Sequence, residues 1–357
     1  MSKAQSRAAK GAPTASADAL KRFATDIFAR AGMPKADAAV VADVLVWANL
    51  RGVDTHGLMR VPRYVDLIES GDMNPRPAIA VRTETPASVL IDADRAAGPV
   101  AMTRATAEAV RKARDAGVGL ALVRATTHTA ALGYYTLAAA HEGLAAIALA
   151  ASWPNVVYHG TRAAGVSTSP ISIAVPGGEP VVLDMATSVV SMGKLNQAKR
   201  KGEPIPEGWA FDKDGNPTTD PQAAQIPLPM AGPKGSGLSL MIECITSLVA
   251  SNPLLAESLE GTPEGRRHRQ NGFVMAIDLA QFGDPRNFRR EVDRLVKALK
   301  SLPVDPGVGE ILMPGERGRR TFESRSRDGV PIPHAIHDEL QALANRLGVA
   351  MFPSSSR

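Results

Sequence analysis

Residues 51–64 read RGVDTHGLMRVPRY and bring one histidine, three arginines, an aspartate, a threonine and a tyrosine together. Upstream, apolar residues recur at three- and four-residue steps, which predicts a helix over 36–50. Two glycines interrupt this pattern, and the next apolar spacing predicts a helical run over 58–68. We therefore expect His56 at a helix entrance, with Arg60 one turn further along the same face.

A histidine one helical turn from an arginine suits the chemistry of a 2-keto or 2-hydroxy acid. Arg60 can bind a carboxylate through two parallel hydrogen bonds, while His56, which titrates near neutral pH, exchanges a proton with the neighbouring oxygen. The same pattern also fits a helix cap at Asp54 or Thr55, with His56 and the arginines facing water. The spacing alone leaves both interpretations open.

Length and composition limit the class of protein. A chain of 357 residues is long enough for two domains or one elaborate domain, and its 44% hydrophobic and 22% charged residues are typical of a soluble globular protein. The net charge of +5 fits either nucleic acid or an anionic substrate with an anionic dinucleotide. The single cysteine, Cys244, excludes an internal disulfide, which fits a cytoplasmic location. No signal peptide or membrane-spanning run is found, so no membrane contact is expected.

Other candidate residues lie at predicted strand ends and helix starts. His128 follows a strand predicted over 118–124 and is either a second acid/base or a loop histidine bonded to the backbone. Asp184 ends a buried strand, where it can orient a histidine, accept from a ribose hydroxyl, or cap the next helix. The glycine-rich segment 232–237 precedes a helix predicted over 238–250, and it is either a phosphate-binding turn or only a turn.

Strands and helices are mixed along the chain, so the predicted class is α/β with an α+β character. No predicted strand is followed by G-x-G-x-x-G, so a Rossmann domain is not expected. Long loops are predicted over 203–228 and 303–327. Arginine groups at 266–269 and 317–327 lack interleaved aromatic residues, which favours a solvated face or a phosphate contact over a nucleic-acid platform. No histidine pair has zinc spacing, so no metal is predicted.

The run R-G-x-D-[ST]-H-G-x-x-R-x-x-x-Y resembles the signature of the malate/L-lactate dehydrogenase type-2 family of NAD(P)-dependent oxidoreductases. That family includes sulfolactate, ureidoglycolate and diketogulonate dehydrogenases and a cyclic imino acid reductase. Further motifs follow in the family's order between Asp18 and Val349. They are Thr127-His128 with Gly133-Tyr-Tyr135, Asp184-Met-Ala-Thr-Ser188 with Gly193-Lys194, Gly208-Trp-Ala-Phe-Asp212 with Pro217-Thr-Thr-Asp220, Lys234-Gly-Ser-Gly-Leu238, and Pro314-Gly-Glu316 with Gly329-Val-Pro331.

The resemblance implies hydride transfer between NAD or NADP and a 2-hydroxy acid, its 2-keto partner or a related imino acid. It implies His56 as the proton donor and acceptor, a role that His128 has in some relatives, and Arg60 as the carboxylate ligand. Asp184 is a candidate orienting group. The other predicted substrate-binding residues are Thr55, Arg51 and Tyr64. The predicted cofactor-binding residues are Ser152, Asp184, Met185, Ala186, Lys234, Gly235, Pro314, Gly315 and Glu316.

The resemblance also implies a family-specific fold, with a mixed, largely antiparallel sheet and flanking helices, and a homodimer whose site lies between the subunits. We therefore predict a disordered tail over 1–15, followed by two domains. One is a helical substrate and dimerisation domain formed by 16–125 with 301–357, and the other is a nicotinamide-cofactor domain over 126–300.

Two segments depart from the family pattern. Relatives usually have H-F-G where this chain has His128-Thr-Ala130, and G-T-N-P where it has Gly165-Val-Ser-Thr-Ser-Pro170. Both flank the expected substrate and nicotinamide pocket, so they leave the choice of keto, hydroxy or imino acid open. The alternatives to a keto acid reductase are a cyclic imino acid reductase and, from another class, a non-catalytic nucleic-acid-binding protein.

Overall fold

The computed structural model describes residues 13–353, in which strands and helices are mixed. The strands are β1 (Thr14–Ala15), β2 (Ala80–Glu84), β3 (Ser88–Asp92), β4 (Val118–Thr126), β5 (Ala145–Ser152), β6 (Val156–Val157), β7 (Ala164–Val166), β8 (Ile171–Val175), β9 (Val181–Met185), β10 (Ala210–Phe211), β11 (Pro217–Thr218), β12 (Ile226–Pro227), β13 (Gln270–Ile277) and β14 (Val330–Pro331). The α-helices are α1 (Ala17–Arg30), α2 (Lys35–Leu50), α3 (Val61–Glu69), α4 (Gly98–Ala116), α5 (Gly133–His141), α6 (Met192–Lys201), α7 (Pro233–Glu243), α8 (Leu255–Glu260), α9 (Pro285–Lys300), α10 (Glu316–Asp328) and α11 (His334–Leu347).

The central sheet has seven strands in the order β2-β3-β4-β13-β5-β8-β9. Within it, β3 and β4 run parallel, and the other neighbouring pairs are antiparallel. An antiparallel arrangement does not require the crossover helices of a parallel dinucleotide-binding sheet. The predicted mixed, largely antiparallel sheet is therefore confirmed.

Small side chains let the central helix lie close to this sheet. Helix α4 packs on β4 and β13 through a buried stripe that includes Ala105, Ala109 and Ala113. Facing it, Gly119 of β4 has no room for a side chain, because a Cβ there would lie 1.9 Å from the carbonyl oxygen of Ala109. The alanine-rich, aromatic-poor composition thus produces a thin, tightly packed interface between helix and sheet.

The two long loops predicted over 203–228 and 303–327 are wrong in part. The first contains β10, β11 and β12, which form a small antiparallel sheet in the order β11-β10-β12. The second ends in α10, whose sequence has no apolar periodicity. Ion pairs four residues apart, Arg319–Glu323 and Arg320–Glu316, support α10 instead, and a pattern search for buried faces does not detect such a helix.

Several helix boundaries also differ from the prediction. Helix α6 begins at Met192 after an N-cap at Ser191, and α7 begins at Pro233, so part of the glycine-rich segment is helical. Residues 1–12 of the predicted tail lie outside the described residues, while Thr14 and Ala15 pair with β14. The predicted domain boundary falls inside β4, and the division into two domains stays a prediction. None of the helices within residues 13–353 is long and apolar enough to cross a bilayer.

Candidate active site

One end of the central sheet is formed by the C-terminal ends of β4, β5 and β9 and by the N-terminal end of β13. Gln270, the first residue of β13, pairs with Thr126 on one side and Ser152 on the other. Two strands further on, Met185 at the end of β9 pairs with Ile171. The antiparallel register therefore brings together residues that follow or precede these ends, and most of the predicted site residues are among them.

The segment between α2 and α3 supplies the predicted histidine and arginine. It forms two short 3-10 turns, Asp54–His56 and Leu58–Arg60, so the α-helix begins at Val61 and not beside His56. Asn49 accounts for the break between the turns: its side-chain oxygen accepts from the Leu58 amide at 2.8 Å. The two turns therefore replace the regular helix that was expected to begin beside His56.

Within these turns, His56 is flanked by Thr55 and Arg60. The Thr55 hydroxyl lies 3.0 Å from Nδ1 of His56, and Arg60 Nε donates to the Thr55 carbonyl oxygen at 2.7 Å. Burial, and then the charge of Arg60, lower the pKa of His56 to about 3. His56 is therefore neutral at pH 7, which is the form that a general base requires, and its low pKa makes it a weak base while the site is empty of substrate charge.

His128 lies beside His56, with ring centroids 5.5 Å apart and planes inclined by 25°. Tyr64 of α3 lies with its hydroxyl oxygen 2.8 Å from Nδ1 of His128, and the Ala130 amide donates to the same nitrogen at 3.3 Å. Because the amide can only donate, Nδ1 is the acceptor and the proton of neutral His128 is on Nε2. Burial, Arg60 and His56 hold the pKa of His128 well below its usual range.

Helix α10, in the C-terminal part of the chain, holds the loop that carries His56. Both terminal nitrogens of Arg325 in α10 pair with the Asp54 carboxylate, at 2.6 and 3.1 Å. Asn49 donates to the same carboxylate at 2.7 Å, and Arg325 also bonds the Asn49 carbonyl oxygen. Asp54 is thus held by Arg325 and Asn49, and it is not the freely solvated helix cap that the sequence had left open.

The start of α6 presses on the same loop. Gly193 lies so close to Thr55 that a Cβ there would be 2.3 Å from the threonine methyl. The absence of a side chain at Gly193 therefore sets the position of Thr55, and through it that of His56. Lys194, the next residue in the motif, is exposed in the first turn of α6.

Asp184 faces a different part of the site. Its carboxylate accepts from the Gly133 amide at 2.8 Å, at the N-terminus of α5, where the helix dipole favours a negative charge. Desolvation by the surrounding protein raises the pKa of Asp184 to about 6, whereas the Gly133 hydrogen bond and the Arg51 charge lower it. Asp184 keeps contact with solvent and does not cap α6.

Arg51 joins Asp184 to the predicted cofactor loop. Its terminal nitrogen donates to the Gly315 carbonyl oxygen at 3.1 Å, and its guanidinium lies 5.4 Å from the ring centre of Trp47. The Val182 amide donates to the Pro314 carbonyl oxygen at 3.3 Å, so this loop lies against β9. Arg51 thus contacts the cofactor loop, and its predicted role in substrate binding stays a prediction.

A cavity of about 700 Å³ opens between this loop, α2 and α9. Its lining combines apolar residues with both cations and carboxylates, and includes Trp47, Arg51, Lys300, Glu179, Asp293 and Glu316. Apolar walls suit an adenine ring and cations suit phosphates, so the residues present fit a dinucleotide. Met185 ends β9 and Ala186 follows it, and the predicted contact of both residues with the cofactor stays a prediction.

The segment that departs from the family pattern at 165–170 is folded into a serine cluster. Ser167 and Ser169 bond each other at 2.6 Å, and Ser239 of α7 donates to Ser169 at 2.7 Å. The Ser152 amide donates to Ser167 at 3.4 Å, so the cluster reaches the end of β5. These serines fix the backbone beside Ser152.

The glycine-rich segment 232–237, predicted as either a phosphate-binding turn or only a turn, is closely packed at Gly235. A Cβ on Gly235 would lie 2.4 Å from the Met230 carbonyl oxygen, so the protein's own backbone fills the space beside this glycine. Lys234 is exposed at the start of α7. That these two residues bind the cofactor stays a prediction, as does the contact of Glu316, which is paired with Lys300.

Sequence reasoning missed two aromatic residues of this site. His268 lies two residues before β13 and Trp153 one residue after β5, and their rings are 4.6 Å apart. His268 was placed in an arginine-rich surface group because only strand register, which no local pattern contains, brings it next to Ser152 and His128. Within residues 13–353, no group of three or more histidine, cysteine, aspartate or glutamate side chains is arranged to hold a metal.

The chain is similar to known proteins over almost its entire length. The family model described as malate/L-lactate dehydrogenase matches residues 15–341. Malate dehydrogenase of Pyrococcus horikoshii is 38% identical over 343 residues, covering 93% of this chain and 95% of the relative. L-sulfolactate dehydrogenase of Methanocaldococcus jannaschii is 36% identical over 335 residues, covering 92% and 96%. The solved structure of the Pyrococcus horikoshii malate dehydrogenase matches with a TM-score of 0.86 at 34% identity, covering 95% of this chain and 96% of that one.

Proposed function

The chain belongs to the malate/L-lactate dehydrogenase family, and from that premise we propose that it is an NAD- or NADP-dependent oxidoreductase that interconverts a 2-hydroxy acid and its 2-keto acid. The observation that carries the proposal is the stacked pair His56 and His128 beside Arg60. Two neutral imidazoles next to one guanidinium supply a proton acceptor, a hydrogen-bond donor and a carboxylate ligand within one pocket.

In the oxidative direction, neutral His56 accepts the proton of the substrate hydroxyl. When Nδ1 carries its proton and donates to Thr55, Nε2 is left as the base. Nε2–H of His128, fixed by Tyr64, donates to the same substrate oxygen and keeps it oriented. In the reductive direction, His56 returns the proton, and the substrate carboxylate on Arg60 offsets the charge that lowers the pKa of His56.

Hydride transfer at C2 is the chemistry that the nicotinamide supplies when bound. Met185, Ala186 and Ser152 would lie along it, and Asp184 is placed to accept from a ribose hydroxyl. The Pro314–Glu316 loop and the cavity that it lines would hold the rest of the dinucleotide. The proposal covers both NAD and NADP, and both belong in the assay.

The test is turnover with NADH and NADPH, followed by nicotinamide absorbance, on pyruvate, oxaloacetate, sulfopyruvate, diketogulonate and a cyclic imino acid. Turnover of a keto acid supports the proposal. Turnover of the cyclic imino acid alone would instead assign the second candidate function, a cyclic imino acid reductase. Absence of turnover and of nicotinamide binding would reject an oxidoreductase of either kind.

An exposed apolar strip supports a homodimer, the assembly that the resemblance implies. It runs along the end of α7 and the turn that follows, where Met241, Leu248 and Val249 are 53%, 51% and 64% exposed. A strip of this kind on a monomer favours a protein partner, and a second copy of this chain is the proposed one. Val249→Arg should shift the sedimentation coefficient to that of a monomer, whereas Val304→Arg, at an exposed valine elsewhere, should leave it unchanged.

The net positive charge of the chain supports nucleic-acid binding less than it supports binding of an anionic substrate and cofactor. Arg319, Arg320 and Arg325 of α10 all pair with carboxylates, and so does Arg269 of the other arginine group. Paired guanidiniums contribute little to a phosphate-binding surface. We also propose a cytoplasmic location for this oxidoreductase, which the lone cysteine suggests.

A further inference from the structure

His268 lies at the same end of the central sheet as His128 because of sheet register. Gln270 pairs with Thr126 and Ser152, and the Thr129 amide donates to the Gln270 side-chain oxygen at 3.2 Å. The residues just beyond these three strand ends are therefore neighbours. His268, His128 and Trp153 occupy those positions, although they are far apart in sequence.

The surroundings of His268 carry excess positive charge. Burial first, then Arg63, lower its pKa to about 4; Arg60 acts in the same direction and Asp72 in the opposite one. His268 also contributes to the low pKa of His128. Two guanidiniums thus lie near three neutral imidazoles. A substrate with one carboxylate engages Arg60 and leaves the positive potential of Arg63 uncompensated.

His268 also has an unused hydrogen-bonding group. Its Nε2 is shielded from solvent and has no hydrogen-bond partner among residues 13–353. A buried polar atom without a partner is costly, so Nε2 of His268 calls for a partner that the described chain does not supply. Trp153 packs on the ring with centroids 4.6 Å apart, which restricts the orientation of the imidazole.

We propose that His268, positioned by Trp153, is the specificity-determining residue of this site and binds a second anionic group that the substrate carries beyond C2. This inference rests on the proposed function and narrows its substrate class to dianionic 2-keto and 2-hydroxy acids. Arg60 holds the carboxylate next to the reacting carbon, and His268 with the charge of Arg63 receives the distal carboxylate or sulfonate.

The first test compares oxaloacetate with pyruvate in the wild type, His268→Leu and His268→Gln. Gln keeps an N–H donor and Leu does not. His268→Leu should lower kcat/KM for oxaloacetate by about 10-fold or more, mainly through KM, and that for pyruvate by less than about 3-fold. His268→Gln should restore most of the oxaloacetate value. His334→Leu, at an exposed histidine that begins α11, is the matched control.

Equal losses on both substrates, or none on either, would overturn the assignment. A structural role for His268 predicts the equal loss, because misplacement of the nearby His128 would affect both substrates. The preference of the wild type is itself diagnostic, since a site for dianions should favour oxaloacetate over pyruvate.

A second readout does not need turnover. Malonate is a dianion that cannot be reduced, and its binding can be measured by calorimetry on the full-length wild type and on His268→Leu. The proposal expects the variant to bind malonate about 10-fold more weakly, with acetate binding unaffected. Unchanged malonate binding would refute the role of His268. His268-dependent malonate binding without turnover of any keto acid would retain it and reject the proposed function instead.

Discussion

The hydroxyl oxygen of Tyr64 lies 2.8 Å from Nδ1 of His128 and 2.9 Å from the carbonyl oxygen of the same residue. The phenol on α3 has one proton, which it gives to Nδ1 when the His128 proton is on Nε2, and its oxygen also lies against the backbone of this histidine. The contact therefore occupies Nδ1, leaves Nε2 for the proposed substrate, and connects the signature segment to the sheet end.

Tyr64→Phe should keep the packing of the ring and lose this orientation. We expect kcat to fall by about 10-fold, with a smaller change in KM, because the phenyl ring cannot fix the His128 tautomer. The free energy of unfolding should fall by about 1–2 kcal/mol. Steady-state kinetics and denaturant unfolding check the two effects. Unaltered kcat with reduced stability would limit Tyr64 to a structural role.

His56→Ala should reduce kcat by about 100-fold or more, the usual scale for loss of a general acid or base. His128→Ala should cost less, because His128 is assigned a hydrogen bond and not the proton. Both are measured on the same substrate, with His334→Ala as the control. A larger loss in His128→Ala would exchange the two roles.

Arg60→Lys should raise KM by about 10-fold with a smaller effect on kcat. An ammonium cannot form two parallel hydrogen bonds to a carboxylate or replace the bond from Nε to the Thr55 carbonyl. Arg30→Lys, on the exposed end of α1, keeps the same chemical change away from the site. An unchanged KM in Arg60→Lys would argue against the carboxylate clamp.

Gly193→Ala should impair turnover although it adds one methyl group. The new Cβ would lie 2.3 Å from the Thr55 methyl, so Thr55 and His56 must shift. We expect kcat to fall by about 10-fold or more, since small displacements of reacting groups are costly. Gly283→Ala, where no atom lies within 4 Å, should behave as wild type. Equal activities in the two variants would show that the loop tolerates the shift.

The pH dependence of hydroxy acid oxidation should reflect the low pKa of His56. Its folded pKa is about 3, so the neutral base persists as the pH falls, and His56 itself should cause no break in kcat/KM near pH 6. Asp184, whose pKa is about 6, titrates in that range, so initial rates are measured across the pH range in Asp184→Asn as well as in the wild type. Once the substrate carboxylate offsets Arg60, the pKa of His56 rises, so its acid limb in kcat should lie at higher pH than in kcat/KM. A break in kcat/KM at about pH 6.5, the ordinary imidazole value, that persists in Asp184→Asn would contradict this environment.

The sequence was sufficient for the family, which the family match confirms, because several short motifs in one order identify it without any knowledge of packing. The absence of a glycine fingerprint also correctly excluded a Rossmann sheet. The helix predicted over 36–50 from its apolar periodicity was placed correctly, as α2 shows. Helix α10 was missed because ion pairs, and not a buried face, support it.

Local sequence alone determined which residues could do the chemistry: His56 and Arg60 lie four positions apart, and their proximity follows from two short turns. Tertiary structure decided everything that depends on register. It stacked His128 on His56, paired Arg325 with Asp54, and brought His268 and Trp153 together at the same end of the sheet. The physical reason is that antiparallel pairing joins residues distant in sequence, and a pattern read along one strand contains no information about which residue lies opposite.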